Sequence, residues 1–191
     1  MPHSVAVLVG SLRKESFSRK VAKGIAAVAP SSLQLDIVEI GDLALYDEDL
    51  EAAGAPAPWT RFRQSVKAAS AVLFVTPEYN RSVPAALKNA LDVGSRPYGS
   101  SVWSGKPGGV VSVSPGAIGG FGANHHLRQS LVFLNVPVVQ QPEMYLGSVG
   151  NWFDEAGAVQ DEKHKEHLAK FAHVFAEWVE RHAPKTSQSS G

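Results

Sequence analysis

Five short apolar runs, at residues 5–9, 33–40, 71–76, 109–114 and 136–140, recur along the chain with helix-length stretches between them. That alternation is the strongest constraint the sequence carries. Strands this far apart are not joined as hairpins, and the stretches between them are long enough for the crossovers that parallel neighbours require. Most of the runs are nearly continuous in valine and other apolar residues, as strands covered on both faces should be. The run 33–40 instead alternates, with Leu33, Leu35, Ile37, Val38 and Ile40, and suits an edge strand.

The stretches between the runs have helical period and helical punctuation. Val21, Ala22, Ile25 and Val28 share a face in 16–29, as do Trp59, Phe62, Val66 and Ala69 in 58–69. Ser82, Val83 and Pro84 open a helix that runs through Leu91, with proline in its first turn, where the missing N–H costs least. A further helix is expected at 124–134. The clearest covers 161–182, where Leu168, Phe171, Ala172, Phe175, Trp178 and Val179 form one stripe. Pro184 would end it, leaving 185–191 as a polar, disordered tail after a single domain at 1–184. Strands and helices in this order predict an α/β three-layer sandwich. A chain of 191 residues with five strands suits the flavodoxin-like sheet order 2-1-3-4-5. Ligands of such sheets bind beyond the carboxyl ends of the strands, where the strand order reverses. The loops after the first, third and fourth strands are therefore the places to look.

Composition removes several classes of function. With no cysteine, the chain has no disulfide, thiolate metal site or cysteine nucleophile. Eighteen basic residues balance eighteen acidic ones, which argues against a nucleic-acid binder and against a strongly acidic electron shuttle. The N-terminus has no basic region or long apolar segment of a leader, and no run approaches a membrane span. A cytoplasmic protein without membrane partners is the expectation.

After the first strand come Gly10, Ser11, Leu12, Arg13, Lys14, Glu15, Ser16, Phe17, Ser18 and Arg19. A loop at a helix N-terminus offers unpaired N–H groups and the positive end of a dipole. Three serine hydroxyls and the guanidinium forks of Arg13 and Arg19 make it a phosphate cradle. It lacks the second glycine and the Lys-Ser/Thr pair of a triphosphate loop, and the spaced glycines of a dinucleotide loop. A terminal monophosphate such as that of FMN fits better. After the third strand, Pro77 and Pro84 stiffen a segment in which Glu78, Tyr79 and Asn80 can offer main-chain groups to a flat ring, with Tyr79 as its wall. The bland alternative is a strand-to-helix turn capped by Ser82. After the fourth strand, Ser114, Pro115 and Gly116 lead into Gly119, Gly120 and Gly122. That loop allows close approach of a planar ligand, and its N–H groups can face a reduced ring.

These residues resemble the NADPH-dependent FMN reductase family. The likeness lies in Leu8 to Arg13 with Ser16, Ser18 and Arg19, and in Thr76 to Asn80 followed by Ser82, Val83, Pro84 and the Leu87, Lys88, Asn89, Ala90 run. The stretch Ala44, Leu45, Tyr46, Asp47, Glu48, Asp49, Leu50, Glu51 resembles a motif of the family's chromate and quinone reductase branch. The resemblance runs from about residue 4 to 182. It implies tight, non-covalent FMN and hydride transfer from NADH or NADPH to the flavin, then to quinones, chromate or similar small acceptors. It further implies a homodimer or homotetramer. Carried over, Ser11, Arg13, Ser16, Phe17 and Ser18 hold the phosphate and ribityl chain. Pro77, Glu78, Tyr79 and Asn80 line the ring, and Ser114 with Gly116 completes its site. Ser18 stands where asparagine is common, and Pro115 removes one N–H from its loop. No acid–base side chain is required, because the cofactors carry the chemistry.

Two other readings compete. A non-enzymatic flavodoxin-like carrier would normally show an acidic surface, and a receiver-like signalling domain needs acids where Gly10, Ser11, Thr76 and Pro77 stand. His164 and His167 have metal-like spacing but are expected at the surface. His125 and His126 suit a helix cap or an oligomer contact. Arg128 and Glu143 form either a pair across a subunit interface or an ordinary surface pair. Trp59, Trp103 and Trp152 are expected in the core or an interface.

Overall fold

The computed structural model describes residues 1–183; the expected tail at 185–191 lies outside the described residues. The apolar runs become β1 (His3–Val9), β2 (Leu33–Ile37), β3 (Ala71–Thr76) and β4 (Gly108–Val113), with β5 at Met144–Leu146. All neighbours pair in parallel, in the order β2-β1-β3-β4-β5. The expected sheet order and edge strand are both found.

Alternate residues of each strand build two cores. Val5, Val7, Val9, Leu73, Val75, Val111 and Val113 face α1 (Phe17–Val28) and α6 (Glu162–His182). Ala6, Leu8, Val72, Phe74 and Val110 face α3 (Ala57–Ala68), α4 (Ala85–Gly94) and α5 (Phe121–Phe133). Every residue of β3 and β4 is buried, the consequence of helices on both faces. Trp59 and Trp103 are fully buried in the second core, and Trp152 is nearly so in the first. Each indole N–H of the first pair is satisfied, Trp59 Nε1 by the Ala44 carbonyl and Trp103 Nε1 by that of Leu91. Burial of such a ring contributes roughly 1.5–3 kcal/mol.

The last strand departs from expectation. The run 136–140 is not β5. It lies beside the start of β4, where Gly108 donates to the Pro137 carbonyl and Val139 donates to that of Gly108, both at 2.9 Å, around a single bridge from Gly108 to Val138. Pro137 has no N–H to extend a ladder, and the sheet is taken up again at Met144–Leu146. Val136 and Val139 are buried, so their apolarity reports burial and not strand. Also absent from the expectation is α2 (Glu48–Gly54), which buries no residue and so has no apolar stripe. It is held by its N-cap: the Asp47 side chain accepts from Asp49 N at 2.8 Å, and three acids occupy its first turn. Helix α5 begins at Phe121 rather than at 124, because Gly120, its N-cap, is in the left-handed region at φ 75°. Among the described residues, no helix is long and apolar enough to cross a membrane.

Candidate functional site

Strand β1 ends next to β3, and β3 next to β4, so three loops leave the sheet side by side at their carboxyl ends. They enclose a hollow of about 270 Å³. Its first wall is Ser11, Arg13, Ser16, Phe17 and Ser18; its second is Pro77, Glu78 and Tyr79; its third is Val113, Ser114 and Pro115. Nine of the residues expected from sequence therefore line one cavity. Asn80 and Gly116 are not among the lining residues, and Val113 is an addition. Val113 reads as a core residue of a strand, and no sequence signal separates its two roles.

The first wall is built as a cradle. Ser16 is the N-cap of α1, its hydroxyl accepting from Arg19 N at 3.3 Å, and the Ser11 hydroxyl accepts from Arg13 N at 3.4 Å. Ser11, Ser16 and Ser18 are buried polar side chains beside a helix start, the arrangement that favours an anion. Arg19 is a correction. Its fork binds Glu39 through two hydrogen bonds of 2.8 and 2.7 Å and is not among the residues lining the hollow. The hydrogen bond from Arg19 holds the Glu39 carboxyl below the usual carboxylate range, and the same bond raises Arg19.

The second wall is a tight turn. Tyr79 N donates to the Ser82 carbonyl at 3.1 Å and Ser82 N to that of Tyr79 at 2.9 Å. Between them Asn80 and Arg81 stand at φ 49° and 63°. Tyr79 is 53% exposed, available as a wall to a flat ligand. Ser82 does not cap α4, whose N-cap is Pro84; its hydroxyl lies 2.9 Å from His126 Nδ1. The third wall offers fewer free donors than expected, because the Gly116 N–H is engaged by the Ser114 hydroxyl at 3.0 Å. The loop passes so close to β5 that a Cβ on Gly119, at φ 66°, would stand 2.5 Å from the Tyr145 carbonyl carbon. No other residue meets both demands.

The motif at 44–51 is not part of the hollow. Asn89, buried on α4, donates to the carbonyls of Leu43 and Ala44 and accepts from Tyr46 N at 2.9 Å. It fastens that segment to the helix.

The histidines follow expectation only in part. His125 and His126 lie inside α5 and cap nothing. His125 Nε2 is 3.0 Å from the Tyr145 hydroxyl, whose pKa is pushed up to about 12 by burial and by its hydrogen bond with Glu143, so the phenol stays protonated. His164 is half-buried and stacked on Trp152 at 3.9 Å, with its Nδ1 buried and unpaired. His167 is exposed as expected; partial burial of its ring pushes its pKa down, aided by Lys170 and His164. No group of three potential metal ligands occurs among the described residues. Arg128 serves its own chain, donating to Asn124 Oδ1 at 2.9 Å and to the Val139 carbonyl at 3.0 Å. A larger hollow of about 550 Å³ between α4 and α5 includes Arg96, His126 and Phe133. It lies on the helical layer and shares no lining residue with the smaller hollow, although Ser82 and Val83 of the segment after β3 border it.

A parallel 2-1-3-4-5 sheet whose loops after β1, β3 and β4 converge on one hollow defines a flavodoxin-like protein. The sequence profile of the NADPH-dependent FMN reductase family matches residues 3–151, and the chain belongs to that family. The family is one of enzymatic oxidoreductases that use FMN and NAD(P)H, which removes the carrier and receiver readings. A quinone reductase of Pseudomonas putida (strain KT2440) is 63% identical over 177 residues, covering 93% of this chain and 95% of its own. A 2-hydroxy-1,4-benzoquinone reductase of a Burkholderia species is 43% identical, covering 94% and 97%. Among solved structures, FerB, the flavoenzyme NAD(P)H:(acceptor) oxidoreductase from Paracoccus denitrificans, superposes with a TM-score of 0.90 at 39% identity. It covers 95% of this chain and all of its own.

Proposed function

We propose that this protein passes hydride from NADH or NADPH to a tightly, non-covalently held FMN and then to quinones, with chromate and similar small molecules as further acceptors. The observation that carries this reading is the convergence of the three loops on one hollow. FMN fits it: the buried hydroxyls of Ser11, Ser16 and Ser18, with Arg13 and the α1 N-terminus, suit a dianionic monophosphate. Phe17 would lie beside the ribityl chain, the main chain at Pro77, Glu78, Tyr79 and Asn80 would border the ring, and Ser114 with Gly116 would complete its site, Asn80 and Gly116 from just outside the lining. When bound, FMN supplies the two-electron redox chemistry. The protein's part is to hold the phosphate, keep the ring flat against rigid loops and leave its open face to nicotinamide and acceptor in turn. Names of relatives support quinones as acceptors.

Self-association as a dimer or tetramer belongs to the same proposal, as does a cytoplasmic location. Its physical support is apolar surface beside the α4–α5 hollow, where Phe133 is 86% and Tyr98 92% exposed.

The test is direct. The purified protein should bind FMN and turn yellow, bleach when NADH or NADPH is added without oxygen, and recover its colour on addition of a quinone in a stopped-flow instrument. A colourless protein that takes up no added FMN would overturn the reading.

A further inference from the structure

We propose that Glu78 is a positioning residue whose carboxylate clamps the 79–82 turn onto the first turn of α5, and so fixes the wall against which the ring of the proposed FMN site lies. The inference rests on that site for its second half only. The turn needs a clamp. Two consecutive residues with side chains, Asn80 and Arg81, occupy the left-handed region in a two-residue turn closed by mutual main-chain hydrogen bonds. Turns of this kind ordinarily carry glycine there. Such a conformation persists where the surroundings over-determine it.

The surroundings are on α5. Glu78, with its side chain only 14% exposed, accepts from Ala123 N at 3.0 Å through one carboxylate oxygen and pairs with Arg81 at 3.2 Å through the other. Ala123 is the third residue of α5, so its N–H is one of those a helix start leaves without a partner inside the helix. The N-cap, Gly120, has no side chain to accept it. Glu78 therefore caps α5 from another loop, with its charge at the favourable end of the helix dipole. On the far side of the turn, the Ser82 hydroxyl meets His126 of the same helix. Turn and helix touch through their backbones between these struts: a Cβ on Gly122 would stand 2.7 Å from the Arg81 carbonyl oxygen and 2.9 Å from Glu78 Oε2. Because α5 continues directly from the loop that forms the third wall, one carboxylate joins the second wall of the hollow to the third.

Hydrogen exchange and flavin spectroscopy together decide the matter. In the FMN-free protein, E78A should speed exchange at the Tyr79, Ser82 and Ala123 amides by about tenfold or more. E78Q, which keeps an oxygen for Ala123 N, should restore most of the protection. G122A, whose Cβ would press on both the Arg81 carbonyl oxygen and Glu78 Oε2, should wedge turn and helix apart and reproduce the loosening. In the FMN-loaded protein, E78A should alter the visible circular dichroism of the flavin and raise KM for a quinone more than it lowers kcat. FMN affinity should fall by less than it does in Arg13→Ala, since the phosphate cradle is untouched. Unchanged exchange at Tyr79 and Ser82 in E78A would overturn the clamp, whether or not FMN binds. Faster exchange with an unaltered flavin spectrum would overturn its link to the ring wall. Refusal of FMN by the unmodified protein would overturn the proposed function and that link together, while the exchange data would still decide the clamp.

Discussion

Arg13 brings the positive charge to the residues that line the hollow, since Arg19 is turned to Glu39. Removing one charged partner of a phosphate costs about 1.5–3 kcal/mol, so Arg13→Ala should raise the FMN dissociation constant by roughly 10- to 150-fold. Fluorescence titration measures this directly, and an unchanged constant would take Arg13 out of the site. Glu39 gives a prediction in pH. Its folded-state pKa is depressed by Arg19, so the pair stabilises the fold above the unfolded carboxyl's pKa and ceases to as pH falls through the depressed one. Both side chains are partly open to solvent, which limits the gain to under about 1 kcal/mol. Urea unfolding should find Glu39→Gln less stable than the parent at neutral pH, with the gap closing below about pH 4. A gap that widens in acid would contradict the assignment.

At the scale of elements, what could be read was what buries apolar surface with a period. Strands β1, β3 and β4 and helices α1, α3 and α6 were legible because their inward residues recur at the spacing of their own geometry. Helix α2 buries nothing, and β5 has three residues; neither can carry a period. The 136–140 run was misread because burial and strand are separate properties, and Pro137 marks the difference. The site was legible for a related reason: serines and arginine before an amphipathic helix are local chemistry. Glu78's bond to Ala123 spans 45 residues, and no spacing along the chain reports it. Helix α6 offers a clean test of element packing. Phe175 is fully buried against β4 and Phe171, so Phe175→Ala should cost about 3–5 kcal/mol in urea unfolding. A loss below about 1 kcal/mol would mean that α6 contributes little to the first core.

For the whole molecule, equal numbers of acidic and basic residues leave no net charge to draw in an oppositely charged protein partner, which suits small acceptors. The ligand and the fold are then coupled by mass action alone. FMN bound to the folded state and not to the unfolded one, at a free concentration of 100 times its dissociation constant, should add about 2.7 kcal/mol of stability. For a chain of this length that raises the melting temperature by roughly 5–11 °C. Phe175→Ala should start from a lower temperature and gain the same increment, because α6 contributes no residue to the lining of the hollow and distant sites add. At the same FMN concentration Arg13→Ala should gain only about 0.3–1.4 kcal/mol, since its weakened affinity leaves the ligand nearer to its dissociation constant. Thermal melts of the three proteins with and without FMN separate the two cases. Equal increments for Arg13→Ala and the parent would place the phosphate elsewhere, and a smaller increment for Phe175→Ala would show that the two cores are not independent.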